Sequence, residues 1–147
     1  MFASPIGPLR FTASGRGLTR VCFEGEPLLD DALSVSPLVT QELAEYFAGT
    51  RQKFTVPLDL SGVTEFRAAV LRELAKVPFG ETTTYAQLAR AVGNPKAVRA
   101  VGSACATNPL PLFIPCHRVL RSDGYLGGYR GGVEAKRFLL RMEGIDV

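Results

Sequence analysis

The stretch TTTYAQLARAVGNPKAVRAVGSA, residues 82–104, decides the fold of the second half of this chain. One of its three leading threonines can cap a helix over residues 85–92, which stops at the Gly-Asn pair that follows. Pro95 can then begin a second helix that continues to residue 104. Two short helices joined by a glycine-containing turn predict a helix-turn-helix, and a plain helical hairpin is the alternative.

The second of these helices has tiny side chains around one long one, Arg99. The small residues are Ala97, Ala100, Gly102, Ser103 and Ala104. Small side chains let a helix backbone approach another surface closely, either a neighbouring helix or the wall of a DNA groove. A major-groove reader normally carries several base-reading side chains, which this helix lacks. If its surface is DNA, we expect binding without sequence preference and one probing arginine.

A cysteine stands beside the chain's only histidine in the stretch IPCHRV, residues 114–119. A thiolate at Cys116 would attack carbon readily once a nearby group takes the thiol proton. Neighbouring side chains of an extended segment point opposite ways, so His117 should not touch the thiol unless the chain turns there. The alternative is that Cys116 is a small buried hydrophobic residue, as unpaired cysteines often are.

The rest of the chain reads as a small sheet followed by helices. The predicted elements are strands over 9–13 and 18–23, an acidic loop over 24–31, a helix over 37–48, a strand over 54–56, a linker over 57–62, a helix over 66–77, a glycine-rich loop over 125–132 and a helix over 133–144. In the last helix Phe138, Leu139 and Met142 are candidates for the core. The fold class is therefore α+β, with a small N-terminal sheet-plus-helix domain (1–60) and a mainly helical domain (61–147).

Composition excludes several kinds of protein. Three cysteines at unrelated spacings (Cys22, Cys105 and Cys116) and one histidine predict neither a disulfide framework nor a zinc site. No apolar run is long enough to span a membrane and no signal peptide is visible, so we expect a cytoplasmic protein. Residues 61–147 hold 12 basic against 7 acidic residues, a net charge of +5, which would draw a polyanion such as nucleic acid.

Many short motifs occur here in an order and spacing that resemble the O6-alkylguanine-DNA alkyltransferases. The motifs are Val77-Pro78-Phe79-Gly80, Thr84-Tyr85, Gly93-Asn94-Pro95, Arg99-Ala100-Val101-Gly102, Asn108-Pro109, Ile114-Pro115-Cys116-His117-Arg118-Val119, Gly127-Gly128-Tyr129, Gly131-Gly132, and Leu139-Leu140 with Glu143. The resemblance is strong over residues 62–144 and looser before them. It implies a winged helix-turn-helix in the C-terminal domain.

The resemblance also implies a reaction. An alkyl group on O6 of guanine in DNA, with O4-alkylthymine as a possible second substrate, passes to the sulfur of Cys116, and each molecule acts once. His117 would accept the thiol proton through a water molecule, and Glu143 would orient His117. Tyr85 would protonate the departing guanine, and Asn108 would brace the turn before the cysteine. Such a relay is expected to bring the pKa of Cys116 below the ~8.5 of a free thiol.

The same resemblance assigns the DNA contacts. The partner would be alkylated double-stranded DNA, bound through the minor groove by a monomer, with the damaged guanine flipped out, no cofactor and no metal. Arg99 would enter the vacated stack. Residues expected at the DNA are Thr84, Ala97, Arg99, Ala100 and Gly102, and those expected around the alkyl group are Pro111, Val119, Tyr129 and Arg130. Lys136 lies at a matching position, and no role is assigned to it.

Three other functions stay open at this point. An alkyltransferase-like protein would bind the lesion without an acceptor cysteine, and Cys116 argues against it. A cysteine hydrolase would normally take its histidine from a distant part of the chain, and it leaves the arginine-bearing helix unexplained. A purely architectural helix-turn-helix protein gives no reason for the Cys-His-Arg stretch.

Overall fold

A computed structural model of the chain describes residues 1–27 and 35–147. Its packing divides into two compact units, Met1–Gly62 and Val63–Val147. The predicted acidic loop over 24–31 falls partly outside the described residues. Within the described ranges, no helix is long and apolar enough to cross a membrane.

A three-stranded antiparallel sheet opens the first unit, in the order β1 (Phe2–Ser4), β2 (Gly7–Ser14) and β3 (Gly17–Cys22). The β2–β3 hairpin is as predicted. Strand β1 was not predicted, because three residues are too few to show alternation. Helix α1 (Pro37–Phe47) starts where expected, with Pro37 in its first turn and the Ser36 hydroxyl accepting a hydrogen bond from the Leu38 N–H.

The strand predicted over 54–56 does not form. The carboxylate of Glu42, buried on α1, accepts the backbone N–H groups of Thr55 at 2.7 Å and Val56 at 3.1 Å. These donors are therefore satisfied by a side chain and not by a neighbouring strand. The predicted linker pairs with β3 instead, since the Leu18 N–H donates to Pro57 O at 2.9 Å.

The second unit is mainly helical. It contains α2 (Glu65–Leu74), β4 (Thr83–Thr84), α3 (Tyr85–Ala91), α4 (Val98–Ala106), β5 (Val119–Leu120) and α5 (Val133–Met142). Helices α2, α3 and α4 pack on one another, and the two short strands pair in parallel. A sheet-plus-helix unit followed by a helical unit that carries the α3–α4 pair confirms the predicted α+β class.

The structure corrects the boundaries of two predicted helices. Pro95 does not begin α4: the Ala97 N–H donates to Asn94 O at 3.0 Å, and this turn is completed before the helix starts at Val98. Helix α2 ends at Leu74 and not at Val77. The Val77 N–H donates to Leu74 O at 3.0 Å, three residues back, which is a tighter turn than the four-residue spacing of an α-helix.

Helix α5 buries a different stripe from the predicted one. Phe138 is 40% exposed, whereas Leu139 is buried as predicted. The buried positions are Lys136, Leu139, Leu140 and Glu143. Their spacing of three and four residues places them on one face, and Phe138 lies off that face. This stripe carries two of the polar groups of the site described next.

Candidate active site

The segment before Cys116 is a turn held by one buried asparagine. The Asn108 side chain donates through Nδ2 to Ile114 O at 2.9 Å and accepts the Leu110 N–H on Oδ1 at 2.9 Å. Leu112, between these anchors, has φ +76°, which residues other than glycine rarely adopt. Because Asn108 bonds both ends, it maintains a strained loop that delivers the chain to Cys116.

Cys116 opens a single 3-10 turn that continues through Arg118. The Arg118 N–H donates to Pro115 O at 2.9 Å. The chain therefore turns at Cys116 and His117 and is not extended there. Cys116, His117 and Arg118 are all buried, and His117 is fully so. The turn therefore carries three chemically different side chains, all of them buried.

A buried carboxylate organises the two residues that follow the cysteine. Glu143 Oε2 lies 2.7 Å from His117 Nε2. The guanidinium of Arg118 donates to both carboxylate oxygens of Glu143, from Nε to Oε1 at 2.7 Å and from Nη2 to Oε2 at 3.0 Å. Arg118 also donates to Val77 O at 2.7 Å. Two neighbouring residues on the turn thus share one acid from the end of α5, 25 residues away from Arg118.

This arrangement determines the proton position on His117. Burial lowers the pKa of His117, although the hydrogen bond and charge of Glu143 oppose that shift, and the ring is neutral at physiological pH. A carboxylate can only accept, so Nε2 carries the ring proton and Nδ1 is left as an acceptor. Nδ1 is buried and has no hydrogen-bond partner among the described residues. It is the one strong acceptor of the ring that is still available to take a proton.

Cys116 lines a cavity of about 410 Å³ in the second unit. The lining residues are Tyr85, Gly102, Cys105, Ala106, Cys116, Gly128, Tyr129 and Arg130. This volume is within the range of small-molecule sites. Of the four residues predicted around the alkyl group, Tyr129 and Arg130 line the cavity, whereas Pro111 and Val119 are buried but do not line it.

Charge and burial act in opposite directions on the Cys116 thiol. Burial raises its pKa, while the hydrogen bond with Asn108 and the positive charges of Arg130 and Lys136 lower it, and burial prevails. From the sequence, the pKa of Cys116 is predicted to lie below that of a free thiol, but in the structure burial shifts this pKa upward. The resting form is the thiol, so the chemistry needs a proton acceptor.

Lys136 is fully buried on α5 and holds the wall of the cavity. Its ammonium group donates to Val119 O at 2.6 Å, to Gly128 O at 3.3 Å and to Leu126 O. Burial lowers its pKa to about 8, and its electrostatic interactions with the Cys116 and Cys105 thiol groups, which raise the pKa, offset only part of that shift. From the sequence, Lys136 was assigned no role and its burial was not predicted.

The sequence did not indicate two further residues of the site. Arg118 appears in the sequence analysis only as part of a motif, although an arginine that is buried requires an acid partner. Cys105 faces the cavity because it lies three residues after Gly102 and one before Ala106, on a single face of α4. That spacing was readable, but nothing local showed that the face bordered Cys116.

Two family models match nearly the whole chain. The 6-O-methylguanine DNA methyltransferase ribonuclease-like domain matches residues 1–60, and the DNA-binding domain of the same family matches residues 65–145. This chain belongs to the 6-O-methylguanine DNA methyltransferase family.

Individual members of the 6-O-methylguanine DNA methyltransferase family align over almost the full length. The methylated-DNA–protein-cysteine methyltransferase of Methanosarcina acetivorans is 39% identical, covering 98% of this chain and 96% of that protein. The Haemophilus influenzae protein of that name is 41% identical over 98% of this chain and 84% of its own length. A crystal structure of Mycobacterium tuberculosis OGT in complex with DNA superposes with a TM-score of 0.87 at 39% identity, covering 97% of this chain and 89% of that one.

Helix α4 of this family member has an outward and an inward side. Arg99, Ala100 and Ser103 are exposed, while Ala104 is buried, so Ala104 does not belong to the small-residue surface predicted for it. Ala97 and Gly102 are half-buried, and Ala97 caps the helix. Thr84 caps α3: its hydroxyl accepts the Gln87 N–H at 3.1 Å, and the Gln87 side chain accepts the Thr84 N–H at 3.0 Å.

Proposed function

We propose that this chain repairs alkylated DNA by transferring the alkyl group from O6 of guanine to Sγ of Cys116, once per molecule. The observation that carries the proposal is the position of Cys116 on the wall of a base-sized cavity, directly followed by the His117–Glu143 pair. Similarity over 98% of the chain to a protein named for this reaction supports it. The reaction class follows from a soft nucleophile facing an alkyl carbon.

The proposed step balances as a displacement. The sulfur of Cys116 forms a bond to the alkyl carbon while the carbon–O6 bond breaks, and the electron pair of that bond stays on guanine. The thiol proton passes through a water molecule to Nδ1 of His117, and Glu143 stabilises the imidazolium that results. The thioether product is stable, so the sulfur does not regenerate.

Tyr85 is the proposed acid for the leaving base. It lines the cavity with Cys116, and burial raises the pKa of its phenol, which keeps the proton in place at neutral pH. The guanine anion that forms when the carbon–O6 bond breaks accepts this proton and becomes neutral. An acid held on one wall and a base behind the nucleophile allow both proton transfers without a metal or a cofactor.

We further propose that DNA binds through the minor groove along α4 with the damaged nucleotide flipped into the cavity. A base inside the duplex cannot reach a buried thiol, and extrusion costs a few kcal/mol. Arg99 is exposed on the outward side of the helix, where it can fill the vacated stack. Small exposed neighbours such as Ala100 allow close approach to the groove walls, and apolar or long side chains often occupy the unstacked step in such complexes.

The decisive test is intact-mass measurement after incubation with duplex DNA that contains O6-methylguanine. The unmodified protein should gain one methyl group, mapped to Cys116. The variants Cys116→Ser and Cys116→Ala should gain none and should still bind DNA, while Cys22→Ala, altered in the other unit, should react like the unmodified protein. A methyl group on the Cys116→Ala protein would overturn the assignment. Removal of more than one methyl group per chain would indicate a hydrolase instead.

A further inference from the structure

Arg130 bridges two segments that border the acceptor thiol. It lies in the glycine-rich loop and lines the cavity together with Cys116. Its Nη1 donates to the backbone oxygen of Asn108, the same residue whose side chain braces the turn before Cys116. One side chain therefore connects the glycine-rich loop, which lines the cavity, to the strained turn before Cys116.

The groups that face Cys116 come from every element around it. Lys136 comes from α5, Arg130 from the loop, Tyr85 from α3 and Cys105 from α4, and His117 follows in the chain. Tyr85 and Cys105 are neutral at physiological pH because burial raises the pKa of each, that of Cys105 to about 12. The charges that bear on the thiol are thus those of Lys136 and Arg130.

The two cations differ in what holds them. Lys136 is fully buried and its ammonium group donates to three backbone oxygens. Arg130 is only half-buried and lies on the lining of the cavity itself. A guanidinium keeps its charge at every accessible pH and offers five N–H donors in a fixed plane. It can hold a backbone oxygen with one nitrogen and keep its charge directed at the cavity.

We propose that Arg130 is a positioning residue that clamps the glycine-rich loop onto the Asn108 turn and places a positive charge beside Cys116, where it stabilises the thiolate. Its part in alkyl transfer rests on the function proposed above. Its effect on the thiolate does not, and can be measured separately. His117 would remove the proton, and Arg130 would favour the charged sulfur that remains.

The test follows the reaction of Cys116 with iodoacetamide across pH, read by peptide mass mapping. In that reaction the thiolate sulfur forms a bond to carbon and iodide leaves, so its rate follows the thiolate fraction. Arg130→Gln keeps an amide donor for Asn108 O but loses the charge, and it should raise the midpoint pH by about one unit and slow labelling at neutral pH by about tenfold. Arg130→Lys keeps the charge and should leave the midpoint within about 0.3 units. Arg137→Ala, which removes a half-buried arginine paired with Glu134, is the matched control and should change nothing.

Equal midpoint pH values for Arg130→Gln and Arg130→Lys would overturn the proposal. This comparison does not require that Arg130→Ala folds. A second arm measures single-turnover transfer from free O6-alkylguanine base. Arg130→Gln should lower the limiting rate more than the affinity for the base, and raising the pH should recover part of the loss. If the unmodified protein transfers no alkyl group, the proposed function fails, while the iodoacetamide series still decides the role of Arg130.

Discussion

Glu143 satisfies two different needs at the residue scale. Its carboxylate fixes the tautomer of His117 and neutralises Arg118, and all three side chains are buried. A buried ion pair adds little net stability by itself, but loss of one partner leaves an uncompensated charge and costs about 3–5 kcal/mol. Catalytic and structural effects of Glu143 are therefore coupled and must be measured together.

We expect the single-turnover transfer rate to rise with pH in the unmodified protein. Burial raises the pKa of Cys116, so below that pKa the thiolate fraction increases tenfold for each pH unit. His117→Gln removes the acceptor at Nδ1 and should slow transfer near neutral pH by about 100-fold or more. Alkaline pH should recover part of this loss, because it produces thiolate without the base.

Tyr85→Phe is the contrasting variant for the same pH series. It removes the donor to the leaving guanine and leaves the formation of thiolate intact, so alkaline pH should not recover its rate. Glu143→Gln should behave like His117→Gln and should also lower the melting temperature, since Arg118 loses its charged partner. A Glu143→Gln protein with the unmodified rate at every pH would show that Glu143 acts only in packing.

Helix α4 combines two surfaces at the scale of the element. Its outward side carries Arg99, Ala100 and Ser103, and Cys105 on its inward side lines the cavity, as do the half-buried Gly102 and the exposed Ala106. The nine residues of the helix thus connect the proposed DNA contact to the proposed reaction site. Substitutions on the two sides should have separable effects.

We predict that Arg99→Ala weakens repair of duplex DNA more than the reaction with free O6-alkylguanine base. Only the duplex reaction includes extrusion of the nucleotide, which costs a few kcal/mol. Cys105→Leu should have the opposite signature, because a larger side chain on the inward side obstructs the cavity for both substrates. Parallel single-turnover assays on the two substrates separate these cases. Equal losses for Arg99→Ala on both would assign Arg99 to the fold or the cavity.

The charge distribution matters at the scale of the whole molecule. Residues 61–147 carry a net charge of +5, while residues 1–60 carry 5 basic against 7 acidic residues, a net of −2. We expect the second unit to supply the phosphate contacts. Binding should fall steeply with added salt, with a slope that reflects the number of phosphates neutralised, and it should vary little with sequence. Fluorescence anisotropy with two unrelated duplexes at several salt concentrations measures both, and a flat salt response would contradict the prediction.

Local pattern was enough to predict the β2–β3 hairpin, the start of α1, the cap of α3 by one of three threonines and the α+β class. These features depend on alternation, on helical periodicity and on capping chemistry within four residues, all of which are visible along the chain. Motif order was enough to identify the family. That Cys116 stands beside the only histidine of the chain is likewise visible in the sequence.

Tertiary packing decided the rest. The absent strand at 54–56, the bond between Arg118 and Glu143, the burial of Lys136 under the glycine-rich loop and the presence of Cys105 on the cavity wall all join residues distant in sequence. Periodicity shows which face of an element is apolar but not what covers that face. A buried polar group forms a hydrogen bond with whichever partner the fold brings within about 3 Å. The local sequence pattern does not predict which residue that partner is.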